Sequence, residues 1–363
     1  MTTALLFIAG LALLVLGAEF LVRGASKLAL SAGISPLVVG LTVVAYGTSS
    51  PEMAVSVQAA ISGRNDLAVG NVVGSNIFNV LFILGASALI SRLVVARQLV
   101  HQEVPIMIGV SLLLLLLCLD GRVSFVDGAL LVGLLVGYTV FVIVQSRREL
   151  KMEAGAGESS GDGSGWDRHW AMQALLVVGG LGLLVLGANW LVEAAVAIAK
   201  GLGVSELVIG LTIIAAGTSL PEVATSILAA IRGQRDIAVG NVVGSNIFNI
   251  LGVLGISALA ASSGLSVAPA MVVFDIPVMI AVAVACLPIF FTGHLIARWE
   301  GALFVALYAA YTTYLILAAR QHDALDTFGV AMTYAVLPLV SLTLAILALR
   351  EWRVRKAHVH GRD

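Results

Sequence analysis

Residues 40–89 read GLTVVAYGTSSPEMAVSVQAAISGRNDLAVGNVVGSNIFNVLFILGASAL, and residues 210–259 read GLTIIAAGTSLPEVATSILAAIRGQRDIAVGNVVGSNIFNILGVLGISAL. Laid over one another at a constant offset of 170, without a gap, the two stretches agree at 34 of 50 positions. The chain is an internal duplication. Each copy carries two polar islands inside apolar runs. One is Thr-Ser-x-Pro-Glu (Thr48 to Glu52, Thr218 to Glu222) and the other is Gly-Ser-Asn-x-x-Asn (Gly74 to Asn79, Gly244 to Asn249). Polar residues written twice at the same depth of an apolar sequence need a chemical reason.

The surrounding chain is unusually apolar. Of 363 residues 60% are hydrophobic and only 11% charged, and the mean hydropathy is +1.04, whereas a soluble domain is about a quarter charged. A polytopic membrane protein follows. Apolar runs of the length needed to cross a bilayer, about 17 to 25 residues, fall near 4–22, 35–61, 67–90, 100–118, 123–145, 170–191, 205–231, 237–260, 271–292, 300–319 and 327–349. The offset maps the first five onto the next five. Because five is odd, the second copy enters the membrane upside down, which gives an all-α membrane protein of two inverted five-helix repeats, ten transmembrane helices, plus one additional C-terminal helix.

The expected organisation is residues 1–146 for the first repeat, 147–169 for a polar Gly/Ser/acid cytoplasmic linker, 170–320 for the second repeat, and 321–363 for the extra helix and a basic cytoplasmic tail. The linker lacks the ligand spacing of a calcium loop. With the N-terminus outside, all 20 Lys and Arg except Arg64, Arg122, Lys200 and Arg320 fall on the inner side. The positive-inside rule therefore predicts an N-terminus outside and a cytoplasmic C-terminus, in the cell (inner) membrane. The first span carries Glu19 with no basic residue before it, so it reads as a retained span. Glu19 stands four residues before Arg23 and is expected to pair with it. Cys118 and Cys286, the only cysteines, each sit in an apolar run and read as buried small hydrophobes.

Proline has no amide hydrogen and its ring clashes with the carbonyl four residues back. Pro51 and Pro221 are therefore expected to break spans two and seven near Gly47 and Gly217, freeing carbonyls around Ala45 to Thr48 and Ala215 to Thr218. Broken backbone is tolerated at membrane depth only where it faces protein or a wet cavity. In spans three and eight, Ser75 and Asn79 lie four residues apart on one helical face, as do Ser245 and Asn249, and these faces can close the same site from the side. Gly70 and Gly74, like Gly240 and Gly244, fit the small-xxx-small pattern of close helix packing.

Glu52 and Glu222 decide the reading. A charged side chain near the bilayer centre costs from about 2.5 to well above 10 kcal/mol, and no Lys or Arg lies inside spans two, three, seven or eight. The counter-charge is a proton on each acid or a bound cation. Two carboxylates, main-chain carbonyls, the hydroxyls of Thr48, Ser49, Thr218 and Ser219 and amide oxygens form an all-oxygen set. That set suits calcium over zinc or copper, with manganese left open, and it also accepts sodium. One divalent ion, two monovalent ions or two protons neutralise the pair equally, and mutually exclusive occupancy is the physical basis of exchange. An enzyme would need an asymmetric acid, base and nucleophile, and a phosphate loop would need a lysine, so no enzymatic activity is expected.

At these motifs the chain resembles the calcium:cation antiporter family in its sodium/calcium exchanger branch, whose two alpha-repeats GTSSPE/GSNIFN and GTSLPE/GSNIFN are similar to, across the ten-span core. The resemblance implies an ion pathway lined by two spans of each half, with spans one and six sliding as gates. It implies ligands at Ala45, Thr48, Ser49, Glu52, Ser75 and Asn79, and at Ala215, Thr218, Ser219, Glu222, Ser245 and Asn249, with both glutamates on calcium. It also implies secondary active exchange of calcium for sodium by alternating access; calcium/proton exchange is the alternative and a cation channel a weaker one. The expected partners are calcium, sodium or protons, and membrane lipid, with no nucleic acid and no resident cofactor. Some relatives carry aspartate where this chain has Asn249, which removes a third acid and bears on the coupling ion.

Overall fold

In a bilayer every main-chain polar group must be satisfied within the protein, so long apolar runs fold as helices. The computed structural model describes residues 2–154, 170–202 and 215–360. Among them, nine helices are long and apolar enough to cross a membrane, and two shorter apolar helices accompany them. With the helix Ser50–Ile61 added to these eleven, the helices in chain order are α1 Thr2–Ala32, α2 Pro36–Thr48, α3 Ser50–Ile61, α4 Asn65–Ile90, α5 Leu99–Leu117, α6 Phe125–Ala154, α7 Trp170–Gly201, α8 Leu220–Ile231, α9 Arg235–Ala260, α10 Met271–Phe291, α11 Arg298–Ala319 and α12 Ala324–Leu347. The second expected span is the pair α2 and α3. The seventh survives among the described residues as a short turn of helix, Ala215–Gly217, followed by α8. Residues 205–214 of that expected span lie outside the described residues. Helix α6 continues through Ala154, so the first eight residues assigned to the linker are helical.

Inversion is visible in the connections. Leu93–Val94 (β1) pairs antiparallel with Leu295–Ile296 (β4), and Arg122–Val123 (β2) pairs with Leu265–Ser266 (β3). Each ribbon joins one repeat to the other, and the two lie at opposite ends of the helices. The turns that precede α4 and α9 are likewise twins, with Gly63 at φ 71° and Gly233 at φ 75°, a conformation glycine reaches without steric cost.

Burial sorts the helices. The apolar window of α4 is 72% buried and that of α9 89% buried, against 6% for α11 and α12. The two polar-island helices therefore form the centre and the last two face outward. Helices α1 and α7 cross antiparallel through glycines. A Cβ added at Gly17 would lie 2.8 Å from the Gly180 carbonyl, and one at Gly10 would lie 2.9 Å from that of Gly187. Small residues let these backbones meet in lipid, where tight packing rather than the hydrophobic effect drives association.

Candidate cation site

Both prolines stand in the first turn of a new helix, at the start of α3 and α8. There the missing amide hydrogen costs nothing, because that position has no intrahelical partner. The break falls at Ser49 (φ −80°, ψ 10°) and Ser219 (φ −89°, ψ 8°), two residues beyond the glycines expected to mark it. The freed carbonyls are partly used. The Gly47 carbonyl accepts the Ser50 hydroxyl at 2.7 Å, and the Ala45 carbonyl accepts the Ser49 amide at 3.0 Å and the Thr48 hydroxyl at 3.3 Å. A carbonyl has two lone pairs, and both of those on the Ala45 oxygen are engaged, so a cation there would take the place of the longer Thr48 contact.

Glu52 and Glu222 fall in the first turns of α3 and α8, where the helix dipole and free amides favour negative charge. Each is 1% exposed. Ser49 donates to Glu222 Oε1 at 2.7 Å and Ser219 donates to Glu52 Oε1 at 2.7 Å, so each repeat holds the acid of the other. The Ser219 hydroxyl also lies 3.4 Å from that of Ser75. Thr48 donates to Asn241 Oδ1 at 3.1 Å. Ser75, Asn79, Ser245 and Asn249 are all buried beside this core. Several oxygens here are buried without any hydrogen-bond partner: Glu52 Oε2, Glu222 Oε2, Asn79 Oδ1, Asn249 Oδ1, Thr218 Oγ1 and Ser245 Oγ. Such atoms cost free energy unless something electropositive meets them. The main chain of Ala215 is helical.

Glu52 and Glu222 stand in α3 and α8, Ser75, Asn79, Ser245 and Asn249 in α4 and α9, and a further layer of polar residues lies behind them that the sequence did not single out. Asn71 donates to Ser56 at 2.9 Å and to the Glu52 carbonyl at 3.3 Å, and Asn241 donates to Ser226 at 2.9 Å. Asn76 and Asn246, inside the quoted motifs, bond to the opposite repeat. Two further acids, Glu103 and the half-buried Asp275, also escaped notice. Glu103, 0% exposed, accepts from Tyr138 at 2.7 Å and from Gln98 and Gln102, and Asp275 accepts from Tyr311 at 2.9 Å. Their shared signal was an acid two residues before proline, Glu103 before Pro105 and Asp275 before Pro277. Glu19 is joined by Arg232 at 2.7 Å, a contact between repeats that helix periodicity does not reveal. Cys118 and Cys286 are free and buried.

Gly240 and Gly244 pack under the backbone of Leu37 and Leu41 in α2, and the stretch related to α2 in the second repeat, 205–214, lies outside the described residues. Asn241 is fully buried and Asn71 half-buried.

Sequence comparison agrees with this architecture. The profile of the sodium/calcium exchanger protein family matches residues 2–144 and 172–317, one segment for each repeat. The chain belongs to the sodium/calcium exchanger family. Its membership makes it a cation antiporter by descent and a multi-pass helical membrane protein. The exchanger is 34% identical over 349 residues to the sodium/calcium exchanger MaX1 of Methanosarcina acetivorans, covering 86% of this chain and 97% of that one. It is 39% identical over 261 residues to the inner membrane protein YrbG of Escherichia coli, covering 71% and 80%. A solved structure of the sodium–calcium exchanger NCX_Mj superposes with a TM-score of 0.74 at 31% identity, covering 86% of the exchanger and 98% of that chain. The superposition over nearly the whole of that chain shows that the two share one fold.

Proposed function

We propose that the exchanger moves calcium against sodium across the cell membrane by alternating access around Glu52 and Glu222. The observation that carries this reading is the reciprocal Ser49–Glu222 and Ser219–Glu52 pairing. It brings two buried carboxylates to the repeat interface with one oxygen of each held and the other, Oε2, unpartnered. Held from behind by neutral hydroxyls, the two acids offer a charge of −2 to a hard cation, and the threonine hydroxyls, the amide oxygens of Asn79 and Asn249 and the carbonyls of Ala45 and Ala215 complete an oxygen shell. Calcium and sodium are cargo in this reading, and no resident cofactor is called for. MaX1 is named a sodium/calcium exchanger, and NCX_Mj has been solved after soaking with Na+ and Ca2+ or Sr2+; both support the ion choice.

Exchange follows from occupancy. Calcium or a set of monovalent ions satisfies the buried oxygens, while the empty cage leaves two uncompensated carboxylates in a medium of low polarity. The loaded states are therefore the ones that can be sealed and reopened on the other side. Helices α1 and α7, crossing through Gly10, Gly17, Gly180 and Gly187, present a smooth backbone contact suited to sliding as a pair. In the orientation given by the basic residues, the N-terminus is outside and the C-terminus cytoplasmic, in the cell (inner) membrane.

Proton-driven calcium exchange is the second reading, because two protons also neutralise the acids. Calcium-45 uptake into proteoliposomes distinguishes the two. A sodium gradient without a pH gradient is expected to drive uptake, whereas uptake driven by a pH gradient alone would move the protein to calcium/proton exchange.

A further inference from the structure

Four asparagines lie across the interface between the repeats, and their hydrogen bonds form a closed pattern. The wide π turns Asn79–Leu84 and Asn249–Leu254 begin at the ligand asparagines, and π turns loosen the hold on the carbonyls before them. Asn76 Nδ2 donates to the main-chain oxygen of Asn246 at 3.2 Å, and Asn246 Nδ2 donates to that of Asn76 at 3.3 Å. The same two amide nitrogens lie 3.6 Å from the sulfurs of Met279 and Met107. All four asparagines are buried, none more than 3% exposed.

This pattern fixes which end of each amide faces the ions. A main-chain carbonyl can only accept, so the NH2 groups of Asn76 and Asn246 must point at it. Their side-chain oxygens therefore face the other way. There Asn76 Oδ1 accepts from Asn249 Nδ2 at 3.1 Å, and Asn246 Oδ1 accepts from Asn79 Nδ2 at 3.0 Å. With its nitrogen so engaged, each ligand amide turns its oxygen away, and both Asn249 Oδ1 and Asn79 Oδ1 are the buried, unpartnered atoms of the cage. An ionised carboxylate at position 79 or 249 would set an acceptor against an acceptor.

We infer that Asn76 and Asn246 are specificity-determining positioning residues. Each holds the opposite repeat's ligand as an oxygen-presenting amide and excludes a carboxylate there, which keeps the fixed charge of the cage at the two glutamates. The inference rests on the cation-site reading and acts through Asn249 and Asn79, so its readout is calcium affinity rather than transport.

Equilibrium calcium-45 binding to the purified full chain tests it, with wild type, Asn249→Asp, Asn76→Ser and the double variant compared beside their thermal midpoints without calcium. Asn249→Asp is expected to weaken calcium binding at least about tenfold, the effect of one unmade buried hydrogen bond with opposed acceptors. Adding Asn76→Ser, which removes the opposing oxygen, is expected to recover most of that loss. Asn76→Ser alone, which leaves both ligand side chains in place, is expected to weaken binding about threefold or more because the Asn249 amide is then free to turn. Asn79→Asp with Asn246→Ser should repeat the pattern. Asn249→Asp binding as tightly as wild type, a double variant no better than the single one, or an Asn76→Ser variant that shifts only the thermal midpoint would each overturn the inference. Intact calcium binding with no ion-driven uptake would instead count against the exchange reading alone.

Discussion

The Ser49 hydroxyl donates to Glu222 Oε1 across the interface between the repeats at 2.7 Å, and Ser219 repeats the contact with Glu52 at the same distance. A hydroxyl bonded to a buried carboxylate contributes about 1.5–3 kcal/mol. Ser49→Ala and Ser219→Ala are therefore each expected to weaken calcium binding by roughly ten- to a hundredfold, and by similar factors, since the two contacts are twins. Calorimetric titration of the two variants checks both the size and the symmetry.

Sliding and binding can be separated at the contact between α1 and α7. A side chain at Gly17 would press on the Gly180 carbonyl and the Leu184 amide, each 2.8 Å away, so Gly17→Val forces the backbones apart, at a cost of about 1–3 kcal/mol. The central site is built on other helices. Calcium affinity in detergent is expected to stay within about threefold of wild type while uptake into vesicles falls at least about tenfold. Parallel loss of both would show that the glycine contact supports the fold as a whole.

Glu19 and Arg232 form an ion pair with side chains 33% and 57% exposed. Exposed pairs contribute about 0–1 kcal/mol, so Glu19→Gln is expected to shift the thermal midpoint by no more than a few degrees. Exchanging the two charges, Glu19→Arg with Arg232→Glu, should return it to the wild-type value. Differential scanning measurements on the three proteins settle this.

The repeat, the spans and the two acids were legible because they depend on composition, on a fixed offset and on the cost of burying Glu52 and Glu222. Apolar runs report depth in a membrane, and a duplicated motif reports symmetry. The break at Ser49 was placed two residues early because a proline reads as a kink inside one helix, whereas here it begins a second helix at Ser50. Asn76 and Asn246 were passed over although their motifs were quoted. Spacing within one helix links Ser75 to Asn79, but it cannot show that Asn79 meets Asn246 from the other repeat. Glu103 and Tyr138 are 35 positions apart, and Glu19 and Arg232 are 213 apart. No local rule pairs them: Glu103 and Tyr138 meet across two helices of one repeat, and Glu19 and Arg232 meet because the second repeat packs inverted against the first.

The central claim is that Glu52 and Glu222 together hold calcium. Glu222→Gln keeps the shape of the side chain and an oxygen for Ser49 while removing one of the two charges. Equilibrium binding of calcium-45 to the purified variant is the most direct measurement, taken on protein that elutes as a single species like wild type. The account predicts affinity lowered at least about a hundredfold, as expected when a buried ion loses a direct counter-charge. Calcium affinity equal to that of wild type in a folded Glu222→Gln protein would contradict it.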